Sequence, residues 1–126
     1  MDRVLWIFVG GALGAVGRYW VSGWVQGHAG TGFPWGTVAV NLAGSFLLGF
    51  VVQASLIGNW TGELRLFVAV GFLGAFTTFS TFAFEALELL RSGQVLEALA
   101  YAGLNLVLGL LLVALGMAAV GLLRGA

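Results

Sequence analysis

Thr37, Asn41 and Ser45 recur at a spacing of four, which on a helix sets a hydroxyl, an amide and a second hydroxyl along one face. Tyr101 and Asn105 repeat the interval, with Gly109 next on the same face. Such rows either hydrogen-bond a partly dehydrated ion or join one helix to another. Between them lies a segment that does neither in any ordinary way, Gly71-Phe72-Leu73-Gly74-Ala75-Phe76-Thr77-Thr78-Phe79-Ser80-Thr81-Phe82. Two glycines and four hydroxyl residues in twelve positions weaken a regular helix, because glycine costs about 1 kcal/mol in a helix interior and Ser or Thr competes for backbone carbonyls. The segment predicts a break whose freed carbonyl oxygens need a partner, and a cation is one such partner. The other reading is a continuous helix with its hydroxyls bonded back to the preceding turn.

Phe79 and Phe82 stand three apart and project from one side. A phenyl ring has a positive edge, so ring edges can approach an anion without the strong grip of a lysine. Conduction needs binding tight enough to enter and loose enough to leave. Uncharged donors facing ring edges suit a small anion better than a cation; the bland reading places both phenyls against lipid or core. Arg18 is the one charge well inside the first apolar run. It either snorkels to the surface or lines an anion vestibule. Glu85 and Glu88, with Arg91, read as a hydrated helix end rather than a proton relay.

The elements that position these residues must live in lipid. Of the 126 residues, 60% are hydrophobic and 8% charged, against about 25% charged in a soluble domain. Charge-poor runs over residues 4–25, 37–57, 64–90 and 95–123 each reach the roughly 20 residues that cross the hydrocarbon as a helix. The fold class is therefore all-α, an integral membrane protein of four transmembrane helices in a single domain over residues 1–126, with the third broken near 74–78. β-Barrel strands would alternate polar and apolar residues, and these runs do not. The first run is retained in the mature chain, being longer than a signal-peptide core and lacking a small-residue cleavage site. The chain has no cysteine, which excludes disulfides and thiol chemistry. His28, in the Gly-rich stretch between the first two spans, has no partners for a metal site and reads as a solvated loop residue. With zero formal net charge and no basic cluster, nucleic acid is not a partner. No residue set suggests an enzyme.

Orientation is weakly encoded. Arg3, Arg65 and Arg124 fall on one side of the membrane, Arg91 on the other, and Arg18 nearer the second. So small a bias lets copies insert both ways, and two such copies form an antiparallel pair equivalent to an inverted repeat. An ordinary oriented protein with few charges is the alternative. Glycines such as Gly10, Gly14, Gly44, Gly49 and Gly116 inside the spans allow close helix approach. Four short helices enclose little space, so a polar path runs between subunits or along a groove that a partner completes.

The core Thr77-Thr78-Phe79-Ser80-Thr81-Phe82, with Gly10-Gly11 to Gly17-Arg18, Trp35-Gly36-Thr37 through Val40-Asn41-Leu42, and Glu85 after it, resembles the signature of the Fluc (CrcB) fluoride channels over nearly the whole chain. The resemblance implies a dual-topology antiparallel homodimer with two pores in the inner or plasma membrane of a microbe, a structural sodium ion at the dimer centre, and passive export of fluoride that lowers its cytoplasmic level. It implies that the backbone carbonyls of Gly74 and Thr77 hold the sodium and that Phe79 and Phe82 flank the fluoride path. Asn41 is then the pore amide, with Thr37 a hydroxyl near it, Ser80 and Thr81 the polar track, Arg18 a vestibule residue, and Tyr101 and Glu85 associated with the pore. Asn105 and Gly109 stand where some members carry serine, which leaves the contribution of the fourth span open. The rival transporter reading, a small dual-topology multidrug or cation exporter, calls for an acid in the first span, where this chain has Arg18. A non-transporting scaffold would leave the polar rows without a purpose.

Overall fold

The computed structural model describes residues 2–126. Helix α1 runs Asp2–Ala29 and α2 runs Trp35–Ile57. The third span, Gly62–Arg91, divides into α3 (residues 62–76) and α4 (Phe79–Arg91), and α5 is the fourth span, Val95–Gly125. No strand occurs among the described residues. All four spans are long and apolar enough to cross a membrane, and only 11% to 28% of the most apolar stretch of each is buried within the chain. The rest turns Leu, Val, Phe and Trp side chains outward, an arrangement stable in hydrocarbon and not in water.

Small residues decide how the helices pack. A side chain on Gly49 would strike the Val113 carbonyl, and one on Gly116 the Phe46 carbonyl, so α2 and α5 touch backbone to backbone at reciprocal positions. Gly10 and Gly14 of α1 do the same against the backbone of Phe67 and Phe72 in α3. These four glycines are the packing device that lipid requires in place of a hydrophobic drive. Within α3 the ladder widens to π-helical turns over Leu66–Leu73, and within α5 over Leu104–Leu108. The second of these contains Asn105.

The break falls on two residues. Thr77 (φ −89°, ψ 156°) and Thr78 (φ −148°, ψ 114°) are extended, whereas Gly71 and Gly74 stay helical. Gly71 serves packing instead, since a Cβ there would press on Ile7 and Gly10. Thr78 explains the restart: its hydroxyl accepts from the Thr81 N–H at 3.2 Å, an N-cap on α4 worth about 1 kcal/mol. Helix α1 extends past the expected end of its apolar run and includes His28 in its last turn. His28 is therefore helical and not in a loop; it is exposed, with its ring tilted against that of Trp24 at 4.4 Å and Nδ1 2.7 Å from the Trp24 carbonyl.

Candidate functional site

The α2 row faces the break. Asn41 binds the Thr78 peptide on both sides: the Thr78 N–H donates to Asn41 Oδ1 at 2.8 Å, and Asn41 Nδ2 donates to the Thr78 carbonyl at 3.0 Å. This pairing fixes which way the amide points, because a backbone N–H can only donate. Asn41 Nδ2 also donates to Asn105 Oδ1 at 2.8 Å, and Asn105 Nδ2 donates to the Tyr101 carbonyl at 3.0 Å. The two polar rows thus meet as a continuous chain of amides across α2, α5 and the break.

One turn away the same three helices meet again. Thr37 and Tyr101 both donate to Glu85 Oε1, the tyrosine at 3.1 Å. Glu85 is consequently a half-buried acceptor inside the bundle, not part of a hydrated helix end. Glu88 does lie at such an end, where it pairs with Arg91 at 3.3 Å with both side chains exposed. Tyr101 is fully buried and carries the ring of Phe82 at 5.3 Å and that of Phe33 edge-on at 5.5 Å. Phe33 is held by Gln26, whose amide donates to the Phe33 carbonyl at 2.9 Å and accepts from the Gly36 N–H at 3.1 Å. Neither Gln26 nor Phe33 stands out in the sequence; the one available signal is a Gln at a helix end before a Gly-rich connection.

Two cavities flank the Glu85 cluster. The outer one, about 530 Å³, opens at the connection between α1 and α2 and is walled by Gln26, Phe33, Glu85 and Glu88 among others. The inner one, about 190 Å³, is lined by Asn41 and Ser45 of α2, Thr77 and Thr78 of the break, Phe79 and Phe82 of α4, and Asn105 and Leu106 of α5. Phe82 is buried at 7% exposure and Phe79 is 71% exposed, yet the rings meet edge to face at 5.6 Å. The inner cavity carries no side-chain charge. It lies at the N-terminal end of α4, where the helix dipole favours negative charge.

Ser80 and Thr81 line neither cavity. Ser80 is exposed beside Thr78, and the Thr81 hydroxyl accepts from that of Thr78 at 3.0 Å. Arg18 also stands apart from both, partly buried, with its Nε lacking a hydrogen-bond partner. Gly74 and Thr77 sit at the C-terminal end of α3. The Thr78 N–H, which would serve the Gly74 carbonyl in an unbroken helix, is turned to Asn41 instead. That leaves carbonyl oxygen without its helical donor at the negative end of a helix, the kind of ligand a hard cation takes. No cluster of His, Cys, Asp or Glu able to hold a metal occurs among the described residues, so backbone oxygen is the donor set the break offers.

Comparison with known proteins agrees with this architecture. The model of the family described as CrcB-like protein, Camphor Resistance (CrcB), matches residues 5–117. The chain is 52% identical to the fluoride-specific ion channel FluC of one strain of Thermus thermophilus over 99% of its own length and 98% of the relative's. It is 51% identical to that of a second strain of the same species, over 99% and 100%, and 50% identical to that of Hahella chejuensis, over 94% of each. With four apolar spans, a broken third helix and matches of this extent, the chain is a multi-pass membrane protein that belongs to the CrcB family.

Proposed function

We propose that the chain is a fluoride-selective ion channel that lets fluoride leave the cell passively and so lowers its cytoplasmic level. The observation that carries this reading is the uncharged inner cavity, whose lining combines amide and hydroxyl side chains with the rings of Phe79 and Phe82. Fluoride is small and strongly hydrated, so a site must replace its water with donors while avoiding a fixed cation that would trap it. Hydroxyls, amides, positive ring edges and the N-terminus of α4 meet both demands. Thr37, Glu85 and Tyr101 form a polar link from the inner cavity towards the outer one. The names of the relatives, each a fluoride-specific ion channel, support the same assignment, as does their being channels rather than enzymes.

The working unit is an antiparallel homodimer in the microbial inner membrane. Two features support it: the near-even distribution of arginines across the membrane sides, and the exposed polar break. Ser80 and Gly74 face outward, and in lipid such polar groups are costly without a partner. A second copy covers them. Gly74 and Thr77 would supply backbone carbonyls to a sodium ion at the two-fold axis, where the ion neutralises the α3 C-terminal ends and holds the break in shape.

Reconstituted vesicles test the assignment. Loaded with potassium fluoride, with potassium chloride or with a quaternary-ammonium drug, and given valinomycin so that potassium can follow the anion, they are expected to release fluoride at least a hundredfold faster than either other solute. Release of the drug in exchange for protons would instead identify an exporter, and retention of all three a scaffold.

A further inference from the structure

We infer that Gln26 and Phe33 are positioning residues for the ion path: Gln26 straps the connection between α1 and α2 so that the ring of Phe33 backs Tyr101 and keeps its hydroxyl on Glu85. The inference rests on the channel assignment. Helix α2 starts after Pro34, whose ring offers no acceptor to the N–H groups that a first helical turn leaves free. One of these, that of Gly36, is accepted at 3.1 Å by Gln26 Oε1 from the last turns of α1. The cap of α2 thus comes from another helix. Gly36 permits the approach, since a Cβ there would strike the Ser22 carbonyl, one turn before Gln26 on the same face of α1. Because a backbone N–H can only donate, this contact also decides which way the Gln26 amide points.

With its oxygen on Gly36, the amide turns its nitrogen to the connection. Gly30 follows the end of α1 at φ 98°, a left-handed turn that glycine makes without steric cost, and the chain doubles back beneath the side chain. Gln26 Nε2 donates to the Gly30 carbonyl and, at 2.9 Å, to that of Phe33. Two N–H groups are all that this nitrogen carries. Gln26 therefore borders the outer cavity with no N–H left for an ion, and its work is done through Phe33. That ring, tied down through its own carbonyl, packs on Trp35 at 4.6 Å and meets Tyr101 edge-on at 5.5 Å. Phe82 of α4 holds Tyr101 at 5.3 Å. Tyr101 is flanked by two rings, and only that of Phe33 belongs to a segment without regular structure. If the strap is cut, Phe33 is free to lift, water from the outer cavity reaches Tyr101, and the hydroxyl loses its fixed aim at Glu85.

Tyr19 and Tyr101 are the only tyrosines, so 3-fluorotyrosine labelling in lipid nanodiscs gives two ¹⁹F signals, assignable with Tyr19→Phe. Gln26→Met keeps the length of the side chain and removes its hydrogen bonds. It is expected to elute as the wild type does and to melt within a few degrees of it, to shift or broaden the Tyr101 signal while leaving that of Tyr19, and to lower valinomycin-supported fluoride release from vesicles at least fivefold. Phe33→Leu, which retains the carbonyl that Gln26 holds and loses the ring, is expected to move the same signal and lower release at least threefold. Gly27→Ala, whose Cβ meets nothing within 4 Å in the chain, is the control and should match the wild type in both. The inference is overturned if the Tyr101 signal stays in place in Gln26→Met, whether or not release falls, if Gly27→Ala moves it as far, or if Phe33→Leu conducts normally; the last of these decides the matter should Gln26→Met not be recovered folded. Wild-type vesicles that release no fluoride would remove the channel assignment, a separate result that leaves the dependence of the Tyr101 signal on Gln26 as measured.

Discussion

Gly49→Ala and Gly116→Ala are each expected to prevent recovery of folded protein, or to lower the melting temperature in detergent by well over 10 °C. A Cβ at either position falls on a backbone carbonyl of the facing helix, Val113 or Phe46, and a backbone atom in mid-helix has no rotamer with which to yield. The helices must separate, and overpacking of a close-packed contact costs about 1–3 kcal/mol, occasionally more. Separation also disturbs the functional chain, because α2 and α5 are the helices that bring Asn41 to Asn105. Gly103→Ala and Gly121→Ala serve as controls. Neither Cβ meets an atom within 4 Å in the chain, and alanine gains roughly 0.5–1 kcal/mol of helix preference over glycine, so these variants should melt as the wild type does or slightly higher. A Gly49→Ala protein that melts with the wild type would remove the backbone-contact account of the α2 and α5 crossing.

The second large effect is expected at Phe82, where packing and ion contact can be separated. Phe82 is buried against Tyr101 and meets Phe79 edge to face. Phe82→Ala would remove both roles and cost about 3–5 kcal/mol through the cavity it leaves, so loss of flux in that variant says little. Phe82→Ile keeps an apolar side chain but removes the positive ring edge. It should assemble and melt within a few degrees of the wild type, with fluoride release from vesicles reduced tenfold or more, which corresponds to about 1.4 kcal/mol of barrier. Unchanged release from an assembled Phe82→Ile protein would take the ring edge out of the ion path.

Much of this is legible in the sequence because membrane chains have few polar residues to misread. The spacing of four in Thr37, Asn41 and Ser45, and again in Tyr101 and Asn105, predicts that each row shares a face, and the amide bond between Asn41 and Asn105 joins the two faces. The run of hydroxyls predicts a break in the third span. The residues that open, Thr77 and Thr78, fall within the expected range of 74–78; which positions of that range open depends on a tertiary contact, because Asn41 offers the Thr78 backbone a partner from α2. Glu85 reads as a hydrated end for a similar reason. Its two donors, Thr37 and Tyr101, come from other helices, and no local pattern marks their approach. His28 belongs to α1 because the helix simply runs on to Ala29, although glycine-rich composition argues for a loop. The π-helical turns are invisible to a 3.6-residue period, since one added residue shifts the face without changing its composition.

If fluoride crosses as proposed, stripped of water and carried by uncharged groups, it crosses alone and therefore moves charge. Vesicles containing the wild-type chain, loaded with potassium fluoride and diluted into a potassium-free medium, measure this directly with a fluoride electrode. Release should be minimal until valinomycin lets potassium follow, and then rapid. Rapid release that needs no valinomycin, and is set instead by a proton gradient, would mean that fluoride crosses coupled to a proton and would contradict the account.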